Sequence, residues 1–457
     1  MRHRRPPRPS RPCRPRPFRR PRRPRRPSAI DREAADLTPP PTLPAPRLPV
    51  IGWRTFAGAA HVDQHSLLDH PRHLPTTSGR AAILLALECL HVGPGDLVLL
   101  PTYHCPTMVS PVKTLGADAA FYPIDEHGAP RLDWLSTHAP ASTKALLVPH
   151  YFGLPQPMEA VRAWCDARGI ALIEDCAHAM FGRAGSRAIG SWGDVAIASL
   201  TKFFPTPEGG ILALNRAGLT MPALTPASRI DQVKAGSDIL HMGAAHDRLT
   251  GLNRLIRGAF ALKSLLRQLV RGGSGSGAGA GGKTAAPSRH GELDEAEEID
   301  ANMALIDLPL SHRALTHASG WISRRVPRRR IVEARRHHYA FFTEAFSGRD
   351  GVHPLLPALP ADCAPYVFPL WVRTPDPGYA EMRKLGVPVS RWDRLWPGVP
   401  ALPGDAGKSW SHHVLQLACH QDLTDADLHR IVEQVERLFI TSPEAPPAAS
   451  PPAASAP

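Results

Sequence analysis

The sequence predicts an α/β fold, in which a mostly parallel sheet is covered by helices and followed by a smaller C-terminal α/β domain. Between residues 80 and 214, short apolar runs alternate with stretches rich in helix formers. Strands that alternate with helices form parallel sheets covered on both faces. Polar residues follow several of the apolar runs, and in such sheets ligands bind beyond the carboxyl ends of the strands. The sequence therefore indicates a binding site at that edge.

The elements are predicted from apolar runs of strand length and from longer stretches of helix formers. Predicted strands of the first half cover 96–101, 145–149, 170–175, 195–199 and 209–214, and predicted helices cover 80–90 and 158–168. The second half is predicted to be helical around 324–346, followed by a strand-like segment over 366–372 and a closing helix over 424–439.

Positive charge is concentrated at one end of the chain. The formal net charge is +13, but residues 1–30 hold 13 Arg and no acidic residue, and the rest carries 41 basic and 41 acidic residues. The body is therefore not expected to bind nucleic acid through bulk positive charge. Residues 1–47, rich in Arg and Pro, and the Pro/Ala/Ser-rich tail 441–457 are predicted to be disordered. An alternative for the extension is an arm that contacts an anionic surface.

Glycine and serine mark a boundary within the body. Residues 272–282 read GGSGSGAGAGG, which is typical of a flexible linker. We expect a large domain over 48–240, a helical insert with this linker over 241–300, and a small domain over 301–440. Residues 252–270 carry apolar residues at helical spacing with basic ones between them, which fits an amphipathic surface helix or a packed helix.

Several classes of protein are not indicated. No stretch reaches about 18 uninterrupted apolar residues, as a membrane-spanning helix requires. No apolar run follows the basic start, as a secretion signal requires. The seven Cys are scattered without a CxxC pair, which argues against a disulfide framework and against a zinc site. We expect a cytoplasmic protein without a bound metal.

Two local features suggest binding of charged groups, and each also has a simpler structural explanation. Thr77-Ser78-Gly79-Arg80 opens a predicted helix, where free backbone N–H groups can bind a phosphate, although many helices begin in this way. Asp175 ends a predicted strand, where its carboxylate could hold a protonated ring nitrogen or could merely cap the next turn.

Two further features follow the next strand. Lys202 comes after Ser199, and as a nucleophile it would have to lose a proton, at a cost of about 4–5 kcal/mol at neutral pH from a pKa near 10.4. An isolated Lys at this place would otherwise be a solvated side chain. Glu208-Gly209-Gly210 allows a tight turn or a close approach of two backbones.

The order in which the four features occur favours a single shared site over four separate structural explanations. An anion-binding turn, a strand-end Asp, a strand-end Lys and a Gly-Gly turn follow one another within one predicted α/β domain. A site for pyridoxal phosphate (PLP) requires these groups: an anion cradle, a partner for the pyridinium nitrogen and a Schiff-base lysine.

The sequence also resembles the DegT/StrS family of PLP-dependent sugar aminotransferases. The resemblance is strong from about residue 74 to residue 214 and looser up to residue 439. The segments that carry it are SGRAAILLALECLHVGPGD (78–96), VPHYFGLPQPM (148–158), IEDCAHAMFG (173–182), GSWGDVAIAS (190–199), TKFFPTPEGG (201–210) and LQLACHQDLTDADL (415–428). The resemblance implies the fold type I architecture of PLP transferases, in a homodimer whose active sites are built from both chains.

The resemblance also assigns roles to the residues around the cofactor ring. Lys202 would form the Schiff base and then move the α-proton as a general base. Asp175 would bond to the pyridine nitrogen and keep it protonated. His178 would lie beside the ring oxygen. The aromatic residue that stacks on the ring would come from PTYHCPT at 101–107, as His104 or Tyr103.

Gly79, Arg80 and Ser199 would hold the phosphate, with Arg80 at a position where Thr is more common in the family. His150 is expected to be a packed or supporting residue rather than a metal ligand. The family's Asn-Tyr/Phe-Arg segment is absent after the Gly-Gly strand, and residues 215–300 match the family poorly. Because of this departure, the resemblance does not determine which substrate is bound or which contacts form the dimer.

The reaction that the resemblance implies is a ping-pong transfer of an amino group from glutamate to a keto-sugar, normally linked to a nucleotide. Relatives that dehydrate sugars have His at the position of Lys202, so Lys favours amino transfer. Two alternatives remain open: another PLP-dependent reaction on the same fold, and a regulatory relative whose Arg-rich arm binds nucleic acid or anionic lipid.

Overall fold

In the computed structural model of the protein, the structure describes residues 44–58, 64–272, 303–304 and 306–440, with the backbone alone over 265–272. The expected disorder of residues 1–43 and of the tail 441–457 lies outside these residues. The predicted linker does so too, apart from Gly272, which ends a helix.

The described strands are β1 (His73–Thr76), β2 (Leu97–Pro101), β3 (Asp118–Tyr122), β4 (Thr143–Pro149), β5 (Ala171–Asp175), β6 (Arg183–Ala184), β7 (Arg187–Ala188), β8 (Val195–Ser199), β9 (Gly210–Leu214), β10 (Val352–Pro354), β11 (Val367–Val372), β12 (Val389–Ser390) and β13 (Val414–Ala418). The described helices are α1 (Gly79–Cys89), α2 (Ser110–Thr114), α3 (Leu132–His138), α4 (Met158–Asp166), α5 (Arg229–Ala245), α6 (Asn253–Gly272), α7 (Leu308–Ser311), α8 (His317–Arg325), α9 (Arg328–Phe346), α10 (Gly378–Lys384), α11 (Gly407–His413) and α12 (Asp425–Phe439).

The larger sheet has seven strands in the order β1-β9-β8-β5-β4-β2-β3. From β8 to β3 the neighbouring strands are parallel, and β9 pairs antiparallel with both β8 and β1. A second sheet, in the order β10-β11-β13-β12, is antiparallel throughout. The predicted mostly parallel α/β sheet is therefore confirmed, and all five strands predicted in the first half are present.

Helix α1 is buried from Ala81 to Leu87, because it packs between the larger sheet and other helices. Its partners come from β8 and β9, whose central residues are also fully buried. Burying an apolar helix on several sides leaves it little freedom to tilt. The amino end of α1 is thereby held at the edge of the sheet where β5 and β8 end.

The region predicted to be helical around 324–346 is helical except at two residues. The structure has two helices, α8 and α9, with the break at Val326 and Pro327. Val326 has the extended backbone (ψ 126°) that is favoured before proline, and Pro327 lacks the N–H group that a continuous helix would need. The proline inside the helical pattern was the signal for this break.

The predicted boundary of the extension at residue 47 is also wrong. Ala45 is only 5% exposed, within the core of the antiparallel sheet. The Pro44 carbonyl is hydrogen-bonded by His246 Nδ1 at 2.8 Å, and the Pro46 carbonyl by His420 Nε2 at 2.9 Å. Residues 44–47 lie on the folded body because side chains distant in sequence satisfy their carbonyl groups.

Helix α6 is present where an amphipathic surface helix or a packed helix was predicted. It shows features of both, since Phe260 stacks on His241 of α5 at 4.3 Å while Leu255 and Leu262 are exposed. Among the described residues, no helix is both long enough and apolar enough to cross a membrane.

Candidate active site

The predicted site residues follow the ends of neighbouring parallel strands. Asp175 is the last residue of β5, and Ser199 is the last residue of β8. Asp175 pairs with Ile197 in the register of these two strands, so both strands end at the same edge of the sheet. Lys202 follows three residues after β8. The topology thus gathers these groups where ligands bind in such sheets.

Asp175 is a buried carboxyl group, only 2% exposed. Burial raises its pKa, and this effect is opposed by the hydrogen bond from the Ala177 N–H (2.8 Å to Oδ1) and by the positive charge of Lys202. A carboxylate in such surroundings is stabilised chiefly by a nearby cation. The side chain is therefore suited to a partner that is protonated and positively charged.

Lys202 has its Nζ atom 5.1 Å from the centre of the Tyr366 ring. Burial lowers the pKa of the Lys202 amine, while the nearby Cys105 and Asp175 side chains act in the opposite direction. Because a lysine nucleophile must be neutral to react, burial moves this amine toward its reactive form.

His178 lies between two aromatic rings, with its ring centre 4.4 Å from that of Tyr366 and 5.2 Å from that of Trp392. Its Nδ1 atom accepts a hydrogen bond from the Phe152 N–H at 3.2 Å. Burial, together with the charge of Lys202, lowers the pKa of His178 well below its usual value. The ring is consequently neutral and carries its proton on Nε2, which can donate a hydrogen bond.

The amino end of α1 lies against the end of β8. A Cβ atom added to Gly79 would lie 3.4 Å from the Ser199 Cβ. The Ser199 hydroxyl is 3.2 Å from the Thr201 hydroxyl. Ser78 caps the helix by accepting the Ala81 N–H at 3.1 Å. Backbone N–H groups and two hydroxyl groups therefore converge at one helix start, which is suitable for a phosphate.

The Gly-Gly turn is required by the close approach of two backbones. A Cβ atom added to Gly210 would lie 2.3 Å from the Ser78 carbonyl oxygen and 2.7 Å from the Gly79 nitrogen. Gly209 has φ +128°, which is unfavourable for residues with a side chain. The turn thus places β9 directly beside the helix start.

Arg80 and Cys105 are close enough to interact electrostatically. Burial lowers the pKa of the Arg80 guanidinium, and the nearby Cys105 side chain opposes this effect. Cys105 also interacts with Lys202, and the Thr107 hydroxyl is 3.1 Å from its sulfur. Within the segment 101–107, Cys105 therefore lies near both cations of the site.

Tyr103 and His104 are both buried and both bonded. The Tyr103 hydroxyl accepts a hydrogen bond from Gln416 at 3.2 Å, and its ring lies 5.0 Å from that of Trp392. His104 stacks on Phe121 at 5.0 Å, with Nδ1 2.9 Å from the Pro101 carbonyl oxygen and Nε2 accepting the Trp396 N–H at 3.1 Å. One ring face and both nitrogens of His104 are therefore engaged within the protein.

His150, Glu174 and Cys176 lie together with their donor atoms within 4.8 Å of one another. Their polar atoms already have partners in the protein. Glu174 accepts hydrogen bonds from His150 Nε2 (3.0 Å) and from three backbone N–H groups, those of Gly190, Trp192 and Gly193. His150 Nδ1 accepts the Gln156 N–H at 3.0 Å. The group therefore acts as a buried hydrogen-bond network that supports the end of β5.

Tyr366 and Trp392 line the site although neither was predicted from the sequence. Both residues come from the second half of the chain, and their rings lie against His178. Tyr366 also lies beside the Lys202 amine. The sequence signal at Tyr366 was only a strand, and Trp392 stands in a segment without regular structure. Their position depends on contacts across more than a hundred residues, which no local pattern reveals.

Part of the chain that carries these residues matches a known protein family. Residues 65–223 match the model of the DegT/DnrJ/EryC1/StrS aminotransferase family. Over this segment the chain is similar to members of that family. The matched segment contains Asp175, His178 and Lys202, and the resemblance inferred from the sequence motifs is confirmed.

Two relatives are sugar aminotransferases by name. The UDP-N-acetyl-3-dehydro-alpha-D-glucosamine 3-aminotransferase of Acidithiobacillus ferrooxidans is 34% identical over 147 residues, which are 32% of this chain and 38% of that protein. The dTDP-4-dehydro-2,3,6-trideoxy-D-glucose 4-aminotransferase of Saccharopolyspora spinosa is 32% identical over 197 residues, or 41% of this chain and 51% of that protein. The matches thus span about half of these relatives or less.

Solved structures of aminotransferases extend the likeness over most of the fold. TlmJ from Streptoalloteichus hindustanus has a TM-score of 0.52 at 21% identity, covering 80% of this chain and 85% of that one. PseC from Helicobacter pylori, involved in the biosynthesis of pseudoaminic acid, has a TM-score of 0.53 at 14% identity, with 80% and 86% covered. At these identities the likeness shows the fold, which is the predicted α/β fold of aminotransferases.

Proposed function

We propose that the protein is a PLP-dependent aminotransferase that transfers an amino group, with glutamate as donor, to a keto-sugar linked to a nucleotide. The observation that carries the proposal is a lysine amine, Lys202, placed by the fold in electrostatic contact with the buried carboxyl group of Asp175. The named activities of the relatives over the same segment support the choice of reaction.

The residues of the site fit PLP. Asp175 combines burial with a need for a cationic partner, which a pyridinium nitrogen would supply. The start of α1, with Gly79 against Ser199, offers the N–H groups and hydroxyl groups that a phosphate requires. Arg80 would add positive charge, and His178 Nε2 would donate to the ring oxygen. When bound, the cofactor would supply an electron sink for the carbon that carries the amino group.

The protein's own residues would perform the remaining tasks. Lys202 Nζ would hold the cofactor covalently and, once released, would remove the proton from the substrate's α-carbon and return it on the cofactor side. Asp175 would keep the ring nitrogen protonated by charge-assisted hydrogen bonding. Tyr366 would shield the amine and His178 from water, and Trp392 would shield His178, because their rings lie against these groups.

Tyr103 remains a proposed cofactor contact through its place in the aromatic cluster with Trp392. His104 is proposed to support the cofactor site without direct contact with the cofactor, because it is hydrogen-bonded to the Trp396 backbone and stacked on Phe121. We also propose that the larger-sheet part of the chain binds the cofactor, that the smaller antiparallel sheet completes the site, and that the enzyme is a cytoplasmic homodimer.

A spectroscopic half-reaction tests the proposal. The full chain is purified with PLP, and its visible absorbance is recorded before and after glutamate is added without any keto-sugar. An aminotransferase converts its cofactor to the amine form with glutamate alone, so the visible band should fade. A band that persists with glutamate and with other common amino acids would argue for a different PLP reaction, and a protein that never binds PLP would refute the assignment.

A further inference from the structure

Arg335, on α9, is fully buried and reaches the backbone of the candidate active site. It donates hydrogen bonds from Nη2 to the Lys202 carbonyl (2.6 Å), and from Nη1 to the carbonyls of Pro365 and Tyr366 (3.0 Å each). Its Nε donates to the side-chain oxygen of Gln421 at 3.0 Å. One guanidinium thus joins three separate segments of the chain.

These acceptors of Arg335 are neutral oxygens. A buried cation without a bonded carboxylate is expensive to maintain, and burial lowers the pKa of Arg335 to about 10. The guanidinium still remains charged at neutral pH. The nearby carboxylate of Asp422 is engaged by a different arginine, Arg330, at 2.7 Å. An apolar residue would fill this space at lower cost, which points to a role for the hydrogen bonds themselves.

The hydrogen bonds of Arg335 fix two residues that face each other in the site. The carbonyls of Lys202 and Tyr366 are held by one rigid planar group, and the Lys202 amine lies 5.1 Å from the Tyr366 ring. The guanidinium also lies over the Phe203 ring at 4.6 Å. Gln421 completes the arrangement, since its Nε2 donates to the Phe203 carbonyl at 2.8 Å.

The same connection continues to His178. The Tyr366 N–H donates to the Phe152 carbonyl at 2.7 Å, and the Phe152 N–H donates to His178 Nδ1 at 3.2 Å. A shift of Tyr366 would therefore displace the group that fixes the tautomer of His178. The positions of Lys202 and His178, the two polar side chains beside Tyr366, therefore both depend on the position of Tyr366.

We propose that Arg335 is a positioning residue, which holds the Lys202 amine against the Tyr366 ring and makes this geometry depend on α9 and on Gln421. The inference rests on the proposed function for its catalytic meaning. The geometric claim itself concerns the protein without cofactor and can be tested there. Arg335 touches no reacting atom, and its effect passes through the backbone of Lys202 and Tyr366.

The test compares Arg335→Lys with Arg336→Lys in the full chain. Arg336 is the next residue on α9 and also donates to backbone carbonyls, those of Pro360 (2.6 Å) and Cys363 (3.0 Å), so it is a matched control. The reactivity of the Lys202 amine is measured across pH by competitive acetylation of the cofactor-free protein and peptide mass spectrometry. A lysine at 335 cannot reproduce the planar set of bonds.

We expect Arg335→Lys to change the acetylation rate of Lys202 about tenfold at pH 7, equivalent to one unit in its apparent pKa. Arg336→Lys should leave the rate at the wild-type value. In the loaded enzyme, Arg335→Lys should lower kcat with little change in KM for the amino donor. A folded Arg335→Lys protein with wild-type Lys202 acetylation would overturn the positioning role, whatever its activity.

If Arg335→Lys does not fold, Gln421→Met is the variant that tests the proposal. This change removes both Gln421 hydrogen bonds, to Arg335 and to Phe203, at nearly constant volume. It should alter Lys202 acetylation in the same direction by a smaller factor, and an unaltered rate would again refute the proposal. Failure of the wild-type protein to bind PLP would refute the proposed function separately.

Discussion

At the scale of single residues, the site depends on charged groups placed where water is largely excluded. Burial acts in opposite directions on its two central groups, because it raises the pKa of Asp175 and lowers the pKa of Lys202. The charged form of Asp175 is favoured by the hydrogen bond from the Ala177 N–H and by the charge of Lys202, and the charged form of Lys202 is favoured by the nearby Cys105 and Asp175. An electrostatic pair of this kind at the end of two parallel strands is characteristic of a functional site.

Asp175→Asn should leave the fold intact and slow amino transfer by roughly 100-fold or more, since a neutral amide cannot keep a ring nitrogen protonated. Stability should change little, because burial already disfavours the carboxylate and an amide oxygen can still accept the Ala177 N–H. Single-turnover kinetics with glutamate and a thermal melt measure the two effects. Asp118→Asn, at a side chain 77% exposed, is the control. A near-normal rate in Asp175→Asn would show that Asp175 has no such role.

At the scale of elements, two turns determine where the site's backbone lies. The Gly-Gly turn brings β9 against the start of α1, and the turn around Gly190–Gly193 is held by the buried carboxylate of Glu174. The first turn joins β8 to β9, and the second connects β7, in a separate two-stranded sheet, to β8. Disturbing either one should alter the site through backbone displacement rather than through loss of a ligand.

Gly210→Ala should disturb the proposed phosphate cradle, because its Cβ would meet the Ser78 carbonyl at 2.3 Å and backbone atoms cannot easily yield. We expect a loss of about 1–3 kcal/mol in the free energy of unfolding, together with weaker PLP binding in a fluorescence titration. Gly236→Ala in α5 is the matched control, since its Cβ would meet nothing within 4 Å. Equal behaviour of the two variants would contradict the close approach.

Glu174→Gln should remove part of the protein's acid sensitivity. His150 and the backbone N–H groups of the 190–193 turn hold the pKa of Glu174 below its usual 4.5, against the opposing effect of burial. The carboxylate thus contributes stability above pH 4.5 that is lost as the pH falls through the lowered pKa.

Chemical denaturation at pH 7 and at pH 3 measures the effect of Glu174→Gln. At pH 7 the variant should lose about 3 kcal/mol, and the difference from wild type should shrink at pH 3. Glu333→Gln, at a surface pair with Arg329 that is 61% exposed, should change stability by less than about 1 kcal/mol. If Glu174→Gln lost the same free energy of unfolding at both pH values, the negative charge of Glu174 would not be the source of its contribution to stability.

At the scale of the whole molecule, the sequence could predict the interior of the larger sheet but not its margins. Strands β5, β8 and β9 are buried throughout and consist mostly of apolar residues, and these were found. Edge strands β1 and β3 were missed, because β1 contains Pro75 and β3 is mostly half-exposed, so neither has an apolar run of its own. Strand ends then located Asp175 and Lys202 without any knowledge of the second half.

The second half supplies what local patterns could not reveal. Tyr366, Trp392 and Arg335 reach the site only because the antiparallel sheet and α9 pack beside the larger sheet. Their spacing from Lys202 along the chain is set by this packing and not by the period of a helix or a strand. The helical prediction around 324–346 did not include the break before Pro327, where a local signal did exist.

Truncation tests how the amino-terminal boundary supports the body. A chain that begins at residue 48 should be less stable than one that begins at residue 44, by about 1–3 kcal/mol in the free energy of unfolding. The longer form keeps the buried Ala45 and the hydrogen bonds of His246 and His420 to the carbonyls of Pro44 and Pro46. Indistinguishable melting of the two proteins would show that this contact contributes nothing.

Borohydride reduction of the PLP-loaded protein tests whether Lys202 binds the cofactor covalently. The full chain is incubated with PLP, reduced, digested and analysed by peptide mass spectrometry, with Lys202→Arg treated in parallel. We expect one stable adduct per chain, on Lys202, and none at any site in Lys202→Arg. Absence of an adduct on Lys202 in the wild-type protein, or equal labelling of the variant, would contradict a covalent role of Lys202.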